Sequence, residues 1–202
     1  MQTICLIPIK KLETVKSRLS SHFSNISRRK IFMHMLRKTI CAVNKSPIKE
    51  CWLLSSDAEI KLFAEEYNVE VFSDCSNGLN PTLNHYVNKA FDSGFNAMYL
   101  APDLPLIDEV SLSQLMKEFN STNQMILVPD LDEMGINAIM WRNNNLLGPF
   151  LGINSYQVHL QQAKIHNMSV ISFEHRQLQY DLDTVEQFNN LPASVRSKLL
   201  SL

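Results

Sequence analysis

A chain of 202 residues, 45% hydrophobic and 19% charged, has enough apolar material for one large domain with a full core, spanning residues 1–202. Its formal net charge of −1 provides no global basic field, so neither nucleic acid nor a membrane is an expected partner. The opening MQTICLIPIKK has an apolar run too short for a secretion signal or a membrane span. The cytoplasm is therefore the expected compartment, and the scattered cysteines Cys5, Cys41, Cys51 and Cys75 read as reduced thiols.

Residues 3–9 read as an apolar strand closed by a basic loop. Residues 25–43 read as a helix with Phe32, Leu36, Ile40 and Val43 on one face. A strand over 51–56, a helix over 57–68 capped by Asp57, and a strand over 69–74 follow. Next, GLNPTLNHYVNKAF predicts a helix with Asn80 at its N-cap and Pro81 at its first position. Residues 97–103 form a buried strand, 108–119 a helix, 125–130 a strand and 137–142 a strand-like return. Ser155 is expected to cap a helix reaching residue 166 or 167, followed by a strand over 169–173 and short helices over 184–191 and 193–200. There is no repeat, low-complexity tract or long linker.

Alternation of strand and helix implies a mostly parallel sheet with helices on both faces, and such sheets bind ligands at the carboxyl ends of their strands. Lys10, Asp74, Asp103 and Asp130 all fall at such ends.

Four groups of residues could carry chemistry. Lys10, Lys11, Lys16 and Arg18 lie in or near the first loop, which reads either as a solvated basic loop or as a polyanion site. With no glycine there, it is not a P-loop, so phosphate contacts must use side chains more than backbone amides. In DCSNGLNPTLNHYV, Gly78 allows close backbone approach, and Asn80 and Asn84 offer a donor and an acceptor each; Asn80 reads equally as a plain cap. Asp181 and Asp183 are spaced two apart, so both point to one side of an extended chain. With Asp103 they form an oxygen-donor set suited to Mg²⁺, while Asp183 could instead cap a helix from Thr184, with Glu186 completing a capping box. Gly152 and Ser155 bracket a helix N-terminus that could hold a small anion or be simply capped, and His159 reads as non-catalytic. No signature of covalent catalysis stands out.

IPIKKLETVKSRL, NGLNPTLN, LAPDLPLI, VPDLDEMGINAIM, GINSYQVH and YDLDTVE, in that order, resemble segments of the 2-phospho-L-lactate (or phosphoenolpyruvate) guanylyltransferase family of coenzyme F420 biosynthesis. The resemblance implies an α/β fold: a three-layer α/β/α Rossmann-like nucleotidyltransferase of the glycosyltransferase-A type with a mostly parallel central sheet. It implies GTP over the first loop and residues 78–84, contacted by Lys10, Lys16, Arg18, Gly78, Asn80, Asn84 and Pro102. It implies Mg²⁺ at Asp103, Asp181 and Asp183, with Lys10, Lys16, Arg18 and Asp103 catalytic. A small phosphorylated acid would be gripped by Asn137, Gly152 and Ser155. A homodimer is left open.

The family pattern D-G-T-G-T-N is replaced here by Asp132, Glu133, Met134, Gly135, Ile136 and Asn137. The family's second threonine contacts the acceptor, and Ile136 cannot donate that hydrogen bond. The expectations are therefore a guanylyltransferase with shifted acceptor preference, a related nucleotidyltransferase of the molybdopterin or sugar-phosphate type, or a non-catalytic nucleotide-binding paralogue.

Overall fold

The structure is a computed structural model, and it describes residues 1–73, 78–122, 124–143, 145 and 147–202. Asp74 and Cys75 lie outside the described residues.

The first strand, β1 (Thr3–Pro8), is buried along nearly its whole length, as a central strand covered on both faces should be. Pro8 stands at its last position, where a missing N–H costs the ladder least. Two single helical turns, Leu12–Thr14 and Ser17–Leu19, follow where the sequence suggested only a loop. Helix α1 (Asn25–Lys45) starts at Ser24, whose hydroxyl accepts from the Ser27 amide. After β2 (Glu50–Leu54), Asp57 caps α2 (Ala58–Glu65) as expected; its second carboxylate oxygen accepts from the Leu12 amide at 3.1 Å, tying the first loop to that helix. The short β3 (Glu70–Phe72) leads to α3 (Leu79–Asp92).

The helix α3 begins earlier than expected. Gly78, not Asn80, is its N-cap, at φ +99°, a conformation that favours glycine. The Asn80 side chain is spent elsewhere: its amide donates to the Leu151 carbonyl at 2.9 Å and accepts from the Leu151 amide at 2.7 Å.

β4 (Asn96–Leu100) and β5 (Met125–Pro129) are buried at every position, and α4 (Glu109–Ser121) between them carries a capping box made by Asp108 and Ser111. The return strand β6 (Ile136–Trp141) runs antiparallel between β4 and β5. Helix α5 (Ser155–Ile165), strand β7 (Val170–Ser172), and helices α6 (Arg176–Gln179), α7 (Val185–Asn190) and α8 (Ala193–Leu200) complete the chain.

The sheet order is β3-β2-β1-β4-β6-β5-β7, with β6 the antiparallel strand. The chain moves from β1 outward to β2 and β3, then returns to place β4 on the other side of β1. This reversal of direction at β1 opens a crevice at the carboxyl ends of β1 and β4. The main core fills the space around this sheet. A second cluster gathers Leu19, Ile31, Met35, Tyr180, Leu182, Phe188, Leu191 and Leu199. It docks the end of the first loop against residues 180–191 and so sets the relative position of two segments that border the crevice.

Candidate active site

The crevice between β1 and β4 holds a cavity of about 510 Å³, within the range of small-molecule sites. Of the expected site residues, Lys10, Lys16, Arg18, Gly78, Pro102, Asp103 and Asp183 line it. Tyr99, Thr14, Ser17 and Thr82 line it too, and nothing in their local sequence distinguished them from ordinary strand, loop and helix residues.

At the floor of the cavity one lysine holds two carboxylates. The Lys16 Nζ donates to Asp103 Oδ2 and, at 2.8 Å, to Asp183 Oδ1. The Lys16 side chain is only 4% exposed, yet its backbone sits in the left-handed region at φ 53°, between the two helical turns. Arg18 Nη1 reaches the other oxygen of Asp183 at 3.2 Å from a largely solvated position.

Packing explains this convergence. Tyr180 and Leu182 are buried in the second cluster, so the alternation of an extended chain turns Asp181 and Asp183 the other way. Leu19, in the same cluster, fixes the turn that carries Arg18. The Leu182 amide donates to the Asp103 carbonyl at 3.1 Å, stitching the two carboxylate-bearing segments together.

The electrostatics follow from the same geometry. Burial alone would lower the Lys16 pKa, but the attraction of Asp103 and Asp183 outweighs it and raises it. For Asp183, burial favours the neutral form, but Lys16, Arg18 and Lys10 reverse the balance and hold the carboxyl below its ordinary value. For Asp181 the relief from Lys16 and from a backbone hydrogen bond is too small to reverse the balance. Burial first, then the charges of Asp103 and Asp183, push its pKa up to about 7.

Lys16 lies between two of the three carboxylates expected to hold a metal ion. Among the described residues no three His, Cys, Asp or Glu side chains are gathered closely enough to hold a metal ion. Asp103 and Asp183 meet at the lysine, and Asp181 stands behind them with Gln187 Nε2 at 3.5 Å from its Oδ1. Gln187 went unnoticed in the sequence. Its Oε1 accepts from the amides of Asp183, at 2.7 Å, and Thr184, at 2.8 Å. Thr184 is the N-cap and Gln187 closes the capping box, so the alternative capping roles of Asp183 and Glu186 fall to these neighbours and Asp183 is free for the cavity. The T-x-x-Q spacing was the signal.

Other expected contacts turn out to be framework. Asn80 and Asn84 do not line the cavity; Asn80 grips Leu151, and Asn84 lies beside Gly148, where a Cβ would meet its Oδ1 at 3.1 Å. Asn137 is 5% exposed, and its amide donates to the carbonyls of Leu178 and Gln179, at 3.1 and 2.9 Å. Its own carbonyl accepts from Ala101. It thus braces the end of β4 against the approach to Asp181. Ser155 is not a cap: it is the first residue of α5, buried, after Asn154 at φ 55°. Its amide donates to the Gly152 carbonyl and that of Tyr156 to the Met134 carbonyl, so these two donors are already used. His159 is fully buried, with Nδ1 against the Ser155 carbonyl and Nε2 accepting from the Phe150 amide. That pattern requires the neutral ring, which burial favours by lowering its pKa.

Asp130 ends β5 as Asp103 follows β4, but its carboxylate accepts from the amides of Met134 and Gly135 and builds the turn between β5 and β6. A Cβ on Gly135 would sit 2.5 Å from Asp130 Oδ2, so any other residue there would displace the carboxylate that builds the turn. Ile136, expected near an acceptor, is 6% exposed and packed in the main core. Ile136→Thr should therefore cost roughly 1–3 kcal/mol of stability by burying a hydroxyl, read by urea denaturation, and leave any acceptor preference unchanged.

A sheet of this order with its cavity at the switch point is the fold of nucleotidyltransferases. A solved structure from Desulfovibrio desulfuricans G20 described as a nucleotide-diphospho-sugar transferase aligns with TM-score 0.79 at 16% identity, covering 100% of this chain and 95% of its own. A nucleotidyl transferase from Methanothermobacter aligns with TM-score 0.62 at 10% identity, over 100% and 98% of the two chains. More narrowly, residues 3–192 match the family described as "Guanylyl transferase CofC like", and the chain belongs to that family. Its curated relatives include a phosphoenolpyruvate guanylyltransferase from Rubrobacter xylanophilus, 28% identical over 96% of this chain and 95% of its own length. A 2-phospho-L-lactate guanylyltransferase from Methanosphaera stadtmanae is 24% identical over 93% of this chain and 82% of its own length.

Proposed function

We propose that this protein transfers a guanylyl group from GTP to a small phosphorylated carboxylic acid such as phosphoenolpyruvate, 2-phospho-L-lactate or 3-phosphoglycerate, a step of coenzyme F420 biosynthesis. The observation that carries this reading is the switch-point cavity in which Lys10, Lys16 and Arg18 face Asp103 and Asp183. A phosphate oxygen of the acid attacks the α-phosphorus of GTP, the bond from that phosphorus to the bridging oxygen breaks, and pyrophosphate leaves. The nucleophile is already an anion, so no strong general base is needed, and the work is positioning and charge neutralisation.

The site suits Mg²⁺ in the chemistry of its donors. Mg²⁺ commonly takes one or two protein carboxylates and completes its shell with water and substrate phosphates. Asp103 and Asp183 would hold it, with Asp181 behind them; the raised pKa of Asp181 reflects its burial first and then the negative charges of Asp103 and Asp183, which Lys16 offsets only in part. When bound, the ion would supply charge neutralisation at the α-phosphate and the leaving pyrophosphate. The chain's own residues do the rest. Lys10, Lys16 and Arg18 neutralise the triphosphate, Gly78 lets the main chain approach the nucleotide at the start of α3, and the packed side of the cavity, with Ile9, Leu54 and Leu79, shields the base from water.

The altered segment 133–136 gives little support to a non-catalytic role, because it belongs to the Asp130 turn and the core and does not line the cavity. Pyrophosphate release across a matrix of GTP, ATP and CTP with the three acids tests the proposal: release with GTP and at least one acid is expected, and none with any pair would defeat it. Within the basic loop, Arg18 lines the cavity while Lys11 is solvent-exposed. Arg18→Ala should weaken GTP binding roughly five- to tenfold and Lys11→Ala less than about twofold, measured by titration calorimetry.

A further inference from the structure

We infer that Lys16 is an exchangeable internal cation: its ammonium group occupies the place between Asp103 and Asp183 that a divalent ion would take, and it leaves that place for the nucleotide phosphates when the ion enters. This inference rests on the reading of the site as a magnesium site. The ammonium is bound to one oxygen of each carboxylate, which are the two groups best placed to ligate an ion. Two carboxylates held this close are relieved either by a proton on one of them or by a cation between them, and here a cation is in place. The lysine supplies it, from a side chain that is buried while both carboxylates remain partly open to the cavity. Its tether also fits an exchange. Lys16 lies between two short helical turns in a left-handed conformation that costs a non-glycine residue free energy, and such strain persists where a side chain is held in place by its partners. The same cavity that contains the carboxylates contains the neighbouring Lys10 and Arg18, so an ammonium released from Asp103 and Asp183 has an anionic destination once a triphosphate is bound.

Two consequences distinguish exchange from a static brace. In the free protein the lysine competes with the ion, so divalent affinity without nucleotide is weak. Removing the competitor must raise that affinity, and in the wild type the entering ion must free the Lys16 amine, which a static brace would not do.

The test uses the full chain without nucleotide and Mn²⁺ as the probe, followed by electron paramagnetic resonance. Lys16→Met should bind Mn²⁺ roughly ten- to a hundredfold more tightly than wild type, the size of a charge-assisted interaction removed, and its melting temperature should recover on adding Mn²⁺. Asp183→Asn should bind it more weakly than wild type. If Lys16→Met folds poorly, the wild type carries the test. Its Lys16 should resist acetylation compared with Lys11 in metal-free buffer and become reactive when Mn²⁺ saturates the protein, as read by mass spectrometry. Equal or weaker Mn²⁺ affinity in Lys16→Met, or unchanged Lys16 reactivity at saturation, overturns the exchange while leaving the metal reading intact. Absence of Mn²⁺ binding in wild type and variant alike overturns both.

Discussion

Asp103→Asn is expected to lower kcat for guanylyl transfer roughly a thousandfold, about 4 kcal/mol of transition-state stabilisation, while the melting temperature stays within a few degrees of wild type. The two halves of this expectation have separate causes. The carboxylate faces the cavity and shares the Lys16 ammonium with Asp183, so replacing it removes charge where the transferring phosphoryl group would pass. The segment's structural bonds are made by main-chain atoms instead: the Asp103 carbonyl accepts from the Leu182 amide, and Ala101 donates to the Asn137 carbonyl. Asparagine keeps both bonds and the side-chain shape. Circular dichroism with steady-state kinetics checks both halves. Near-wild-type kcat in a folded variant would remove Asp103 from the chemistry.

Asp181→Asn should act in the opposite sense on stability. The Asp181 carboxyl titrates near 7 in the folded protein, against an ordinary value near 4. A carboxyl that holds its proton more tightly when folded contributes most at low pH, and that contribution declines as pH rises from about 4 to about 7. Above pH 7 the wild type carries the full penalty of a buried charge beside Asp103 and Asp183. At pH 8 and without divalent ions, Asp181→Asn should therefore be more stable by roughly 2–4 kcal/mol, a rise in melting temperature of about 5–10 °C. The difference should vanish near pH 4, and the variant should turn over more slowly than wild type. A variant no more stable than wild type at pH 8 would show that the carboxylate is relieved by a partner other than those described. A group that weakens the fold in order to serve the site is what the stability–function trade-off anticipates.

How far the sequence revealed this site depended on whether a residue's partner was near it in the chain. Asp181 and Asp183 were legible because alternation with Tyr180 and Leu182 is a local pattern, and the burial of those two residues makes it operative. Asp57 was legible as a cap for the same reason. Asn80 was misread because Asn followed by Pro is a strong local signal for a helix start, yet Gly78 begins the helix two residues sooner and Leu151, far along the chain, offers the Asn80 amide two bonds at once. The partners of Asn137 were not legible either: Leu178 and Gln179 adjoin it only after β6 has returned between β4 and β5. Asp103 and Asp130 look alike in sequence, each a carboxylate after an apolar run and a proline. The amides of Met134 and Gly135 claim one; the Lys16 ammonium claims the other. The mostly parallel sheet was readable from strand–helix alternation, whereas the antiparallel direction of β6 needed the pairing itself.

The central claim, attack on the α-phosphorus of GTP by the phosphate of a small acid, is tested most directly by following the label of the nucleotide. The protein is incubated with Mg²⁺, one of the three phosphorylated acids, and GTP radiolabelled at either the α- or the γ-phosphorus, and the products are separated by ion exchange. The expected result is α-label in a guanosine-containing product that also holds the acid, with γ-label in pyrophosphate. Label passing from the γ-position to the acid, or no acid-dependent product from any of the three, would contradict it.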